Sequence, residues 1–191
     1  MGKGIRLPTS ERRKSRGNSW SRGKGEPGLI GRKKVDWSIF EEGTTIPQNV
    51  VQFFSRANDG RMPERGEVFY ITLVVDEKEY KAELHNKKRQ GSDLTQIRYD
   101  SNKELRQVFL EQFQRSYAYI KPERERLLAM GRKPSVVVPD PIAEYLEFHE
   151  TTGPFRYHVE LVHFGGTLPS ESKCSRKIRS VDWRSARCEI K

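Results

Sequence analysis

Residues 66–99 read GEVFYITLVVDEKEYKAELHNKKRQGSDLTQIRY. Three strands are predicted here. Residues 67–75 form an apolar, β-branched run, the pattern of a strand with most of its surface buried. The polar run 76–79 supplies a turn. Residues 80–84 then alternate, with Tyr80, Ala82 and Leu84 on one face and Lys81 and Glu83 on the other. Alternation resumes over 94–99, where Leu94, Gln96 and Arg98 oppose Thr95, Ile97 and Tyr99. Between the last two strands, residues 85–93 read as a polar loop carried on rigid sheet.

Outward from this centre the chain is basic and only moderately apolar. Its 191 residues are 34% apolar and 32% charged, with a net charge of +10 and a pI near 9.7. The excess is at the ends. Residues 1–34 carry 11 Lys/Arg against 2 Asp/Glu, and 170–191 carry 7 against 3, whereas 35–169 carry 18 against 21. Basic ends on a slightly acidic body suit a polyanionic partner and equally suit solubilising tails. No stretch is long and apolar enough for a membrane span, and the start lacks the apolar centre of a signal peptide. Cys174 and Cys188 have no paired metal-ligand spacing, so a reduced, cytoplasmic protein is expected.

The order of elements follows from the same patterns. Residues 1–34 are predicted to be a flexible basic leader in which Trp20, Leu29 and Ile30 are the apolar exceptions, Trp20 packing on the domain. Residues 36–47 read as a strand, a bend at Gly43 and a second short strand. Pro47 then opens a helical turn over 48–54, with Val50, Val51, Phe53 and Phe54 on its apolar side. Ser101 and Glu104 form a capping box for a helix whose Leu105, Val108, Phe109, Phe113, Tyr117 and Ile120 recur at helical spacing up to Pro122. A shorter helix over 123–130 follows. Strands are predicted at 135–138, 142–150 and 155–164, the last with Phe155, Tyr157, Val159 and Leu161 facing inward. The prediction is an α+β fold, mostly β: an open, mostly antiparallel barrel of seven to eight strands capped by one or two helices, spanning 35–165 and followed by a basic tail or linker at 166–191.

Side chains able to read nucleic acid concentrate in 85–98. Asn86, Gln90 and Gln96 match adenine; Lys87, Lys88, Arg89 and Arg98 match guanine or phosphate; Asp93 accepts from cytosine. The same composition also describes a solvated loop. Asn86-Lys87-Lys88-Arg89-Gln90-Gly91 after a strand, followed by Gln96-Ile97-Arg98-Tyr99 and a helix, resembles the recognition arm of the B3-like pseudobarrel, the DNA-binding domain of EcoRII- and BfiI-type restriction endonucleases. Thr44-Thr45-Ile46-Pro47 resembles the step that follows the other arm in that family. The resemblance covers 34–162 and implies two arms gripping the major groove. The C-terminal arm would supply His85, Asn86, Lys87, Lys88, Arg89, Gln90, Ser92, Asp93, Gln96 and Arg98. The N-terminal arm, preceding Gly43, would supply Arg32, Lys33, Lys34, Asp36, Trp37, Ser38 and Glu41. The long basic leader is a departure from the family, and its Arg12, Arg13, Lys14 and Arg16 are expected to lie along phosphates.

Other chemistry is weakly marked. Glu189-Ile190-Lys191 has the E-x-K form of the PD-(D/E)xK nucleases with Asp182 upstream, and Asp76-x-x-Glu79-x-Lys81 is a second match; charged surface explains both. His149, His158 and His163 are close in sequence, but strand alternation sends His158 and His163 to opposite faces, and no metal site is expected. The expected function is sequence-specific binding of double-stranded DNA as the recognition part of a restriction endonuclease, in a prokaryotic cytoplasm. Mg²⁺ would be needed only by an attached catalytic domain. A small Mg²⁺-dependent nuclease and an RNA-binding module are the rival readings.

Overall fold

The computed structural model describes residues 19–21, 26–89 and 92–163, without the side chains of 88, 89, 92 and 93. The strands are β1 (Trp20–Ser21), β2 (Leu29–Lys34), β3 (Gly43–Ile46), β4 (Val68–Val75), β5 (Lys78–Arg89), β6 (Ser92–Arg98), β7 (Tyr145–Glu150) and β8 (Arg156–Val162). The helices are α1 (Trp37–Glu41), α2 (Gln48–Ala57), α3 (Lys103–Gln112) and α4 (Gln114–Ala129). One sheet holds all eight strands in the order β1-β2-β7-β8-β4-β5-β6-β3. Among the described residues only β4 and β8 pair in parallel. The two edges approach each other, and the Trp20 indole nitrogen in β1 donates to the Thr45 carbonyl of β3 across 2.7 Å. The result is the mostly antiparallel, eight-stranded barrel that the sequence predicts, drawn nearly closed by this contact, with helices beside it.

The core follows strand alternation. Ile71, Leu73 and Val75 of β4, Tyr80, Ala82 and Leu84 of β5, and Tyr157, Val159 and Leu161 of β8 all point inward. Phe54 of α2 enters among Trp20, Phe148 and Tyr157, at ring separations of 6.0, 5.8 and 5.2 Å. A buried aromatic of this size contributes about 2–3 kcal/mol by removal from water. A second aromatic group joins the other helices: Phe40 and Trp37 of α1 meet Tyr117 of α4, and Phe109 of α3 meets Tyr99. Buried Glu144 accepts from the Ser116 amide and lies 3.0 Å from His163 Nδ1, clamping α4 to the end of β8.

Several sequence expectations are corrected. The sheet begins before residue 35, because Leu29 and Ile30, together with Trp20, are buried and draw β1 and β2 out of the expected leader. The predicted strand after Asp36 is the short helix α1. Asp36 accepts from the Ser38 amide and caps it, while Ile39 and Phe40 bury side by side. The cap of α3 is Asn102, whose side chain accepts from the Leu105 amide, one residue beyond Ser101. Pro122 does not end a helix. Its ring lies exposed within α4, which forgoes the one backbone bond a proline cannot donate. The break comes earlier, at Phe113, where burial against Phe109 and His163 takes the backbone out of helical geometry. Residues 135–138 join no strand. Among the described residues no helix is long and apolar enough to cross a membrane.

Candidate nucleic-acid interface

The loop predicted over 85–93 is largely strand. β5 runs on to Arg89 and pairs with β6 in the register Asn86↔Thr95, Lys87↔Leu94, Lys88↔Asp93 and Arg89↔Ser92. The flanking strands stop short of it. β4 reaches only Val68 opposite His85, with two further bonds at Asn86, whose amide donates to the Glu67 carbonyl and whose carbonyl accepts from the Gly66 amide. β3 stops at Ile46 opposite Thr95. Beyond those points the two strands pair only with each other. Three residues per strand at strand rise extend this ribbon roughly 10 Å past the barrel rim.

The base of the ribbon is fixed by its own polar groups. The Asn86 amide nitrogen donates to the Pro63 carbonyl at 3.1 Å, and the Gln96 amide nitrogen donates to Thr45 Oγ1 at 3.1 Å. His85 Nε2 lies 2.6 Å from Glu83 Oε2. Arg98 donates to both oxygens of Asp100, at 3.0 and 2.8 Å, and approaches Glu42 to 3.6 Å. The Arg98 bonds hold the Asp100 carboxyl below its ordinary range, and the Arg98 guanidinium is pushed up in turn. These four residues therefore anchor and orient the hairpin. Lys87, half-buried, has no ion-pair partner among the described residues. Gln90, Arg12, Arg13, Lys14 and Arg16 lie outside the described residues, as do Asp182, Glu189 and Lys191.

The residues expected to form an N-terminal arm do not gather at a common surface. Arg32 pairs with Glu147 across β2 and β7. Lys33 is 1% exposed and pairs with Asp36; burial lowers its pKa and Asp36 opposes that shift. Lys34 donates to the Val138 carbonyl at 3.0 Å and to Asp140. Trp37 stacks on Tyr117 with the Arg124 guanidinium 4.7 Å from its ring centre. The Ser38 hydroxyl donates to Asp36 at 2.6 Å, and of the seven only Glu41 is free at the surface. These side chains hold the barrel together, and their partners on β7 and beside it lie about a hundred residues away, beyond what local spacing shows.

Two further clusters bear on chemistry. Asp76 and Glu77 form the β4–β5 turn at φ 48° and 65°, and exposed Glu79 pairs with Arg156, so the second E-x-K match is turn surface. His149 of β7 stands opposite His158 of β8 with ring centres 6.1 Å apart, while His163 turns away to Glu144. Glu147 and Glu160 complete the group around His149, and spacing among histidines alone misses them. Their signal is alternation: Glu147-x-His149 and His158-x-Glu160 put four polar groups on one sheet face. The chain matches no known protein family, no curated protein and no solved structure.

Proposed function

We propose that this chain binds double-stranded DNA and discriminates among sequences by inserting the β5–β6 hairpin into the major groove. The observation that carries the reading is the two-stranded ribbon extending past β3 and β4, with Lys87, Lys88 and Arg89 at consecutive positions near its tip. A major groove about 12 Å wide admits such a ribbon. Because consecutive strand positions alternate between faces, cations there would meet phosphates on one side of the ribbon and guanine edges on the other, while His85, Asn86, Gln96 and Arg98 keep the strands rigid from below. Phosphate contacts set register, and base-edge bonds from the tip supply preference. The barrel and the pattern at 86–99 suit a B3-like recognition domain, and in a restriction endonuclease the Mg²⁺-dependent cutting would belong to an attached catalytic domain.

The test is selection from randomised duplexes with the full chain, followed by anisotropy titration of the enriched and a scrambled duplex. Arg89→Ala should lower the preference ratio by about 1–3 kcal/mol, the value of one bidentate base contact, and leave weak general binding. An unenriched pool, or a uniform affinity loss with the ratio kept, would overturn the reading. Stronger competition by structured RNA than by duplex DNA would also overturn it.

A further inference from the structure

We propose that Glu147, His149 and Glu160 form a binding site for one divalent transition-metal cation, with zinc the best fit. The site lies on the outer face of β7 and β8, toward the β4–β5 turn and away from the hairpin tip. His149 Nε2 lies 3.6 Å from Glu147 Oε2 and 3.7 Å from Glu160 Oε2, and the three ligand atoms fall within 4.8 Å of one another. Tetrahedral ligands bound at about 2.1 Å stand about 3.4 Å apart, so an ion fits among these atoms with small side-chain adjustments.

Three observations favour an ion over a simple polar cluster. The separations of 3.6 and 3.7 Å are too long for hydrogen bonds, and His149 Nε2 is buried without a hydrogen-bond partner among the described residues. Such an atom carries a desolvation cost that a metal bond removes. Glu147 is 5% exposed, and its Oε1 is held by Arg32 while Oε2 faces His149. This is the arrangement of an oriented ligand with its outer partner in place. Finally, the two arginines of this face are each matched, Arg32 by Glu147 and Arg156 by Glu79, so the Glu160 carboxylate is left as one negative charge for a cation to balance. One imidazole and two carboxylates suit zinc or manganese. Calcium wants more oxygen ligands, and copper(I) wants thiolates. Three protein ligands leave a fourth position for water.

The test uses the full chain stripped with chelator, without DNA. Zinc is titrated calorimetrically, and cobalt(II) is followed by the visible absorption of a tetrahedral site. One ion per chain is expected. Glu160→Gln and His149→Gln should each weaken binding at least about tenfold, and replacing Cys174 and Cys188 together by serine should leave it unchanged. Glu160 is half-exposed, with 39% of its side chain accessible, so its substitution keeps the fold, which circular dichroism verifies. Absence of saturable binding, binding that survives both substitutions, or binding abolished with the cysteines would each overturn the proposal.

Discussion

Asp36 does two jobs with one carboxylate. Oδ1 accepts from the Ser38 amide and hydroxyl at the start of α1, and Oδ2 accepts from the buried Lys33 ammonium. Removing the carboxylate deletes a helix cap, worth about 1 kcal/mol, and strands a buried charge, which costs about 3–5 kcal/mol. Asp36→Ala is therefore expected to lose stability on the larger scale, read from urea unfolding. The pH dependence has a definite sign. Burial holds the folded-state pKa of Lys33 below its ordinary 10.5, so between the two values the unfolded chain binds the extra proton. Stability then rises with pH through that window. Without Asp36 the lowering deepens, so the gap between Asp36→Ala and the parent should narrow as pH rises toward 10.5. A gap that stays constant with pH would assign the loss to the cap alone.

At the scale of elements, β3 depends on Gly43. Its φ is +132°, and an added Cβ would stand 2.0 Å from the Ile97 carbonyl oxygen of β6. Backbone on both sides leaves nothing flexible to yield. Gly43→Ala should cost about 3 kcal/mol or more and release amide protection across β3, measured by thermal melting and hydrogen exchange. The bend at Gly43 and the alternation of β4, β5, β6 and β8 could be read from the sequence because burial on one face writes itself at period two. Partner choice could not. The parallel pairing of β4 with β8 and the Trp20 bridge to Thr45 join segments far apart in the chain. Over five residues, Trp37–Glu41 fits a strand as well as a helix until Asp36 is seen capping it. Phe113 breaks a helix that its own periodicity would continue, because its burial overrides propensity. The hairpin stands out in the sequence by its charge, whereas its strand character does not. Arg32 and Lys34 look free in the sequence until Glu147 and Asp140 are brought beside them.

At the scale of the whole molecule, charge is divided between ends and body. Residues 1–34 are net +9 and 170–191 net +4, on a body that is net −3. Within the 1–34 segment, Arg32, Lys33 and Lys34 are consumed by internal pairs. On the proposed reading, Arg12, Arg13, Lys14 and Arg16 of that segment are the cations assigned to phosphates. If the hairpin supplies preference, these residues supply affinity alike on every duplex. Replacing the four with alanine should weaken enriched and scrambled duplexes by the same factor. It should also make the fall of log affinity with log salt shallower by about 0.9 for each phosphate no longer neutralised. Arg89→Ala should do the reverse, lowering the ratio between duplexes while moving the slope by no more than one phosphate's worth. Anisotropy titrations of both variants between about 50 and 200 mM salt separate the two effects. A basic-end variant that loses preference, or a hairpin variant that changes only the slope, would mean that recognition is not divided in this way.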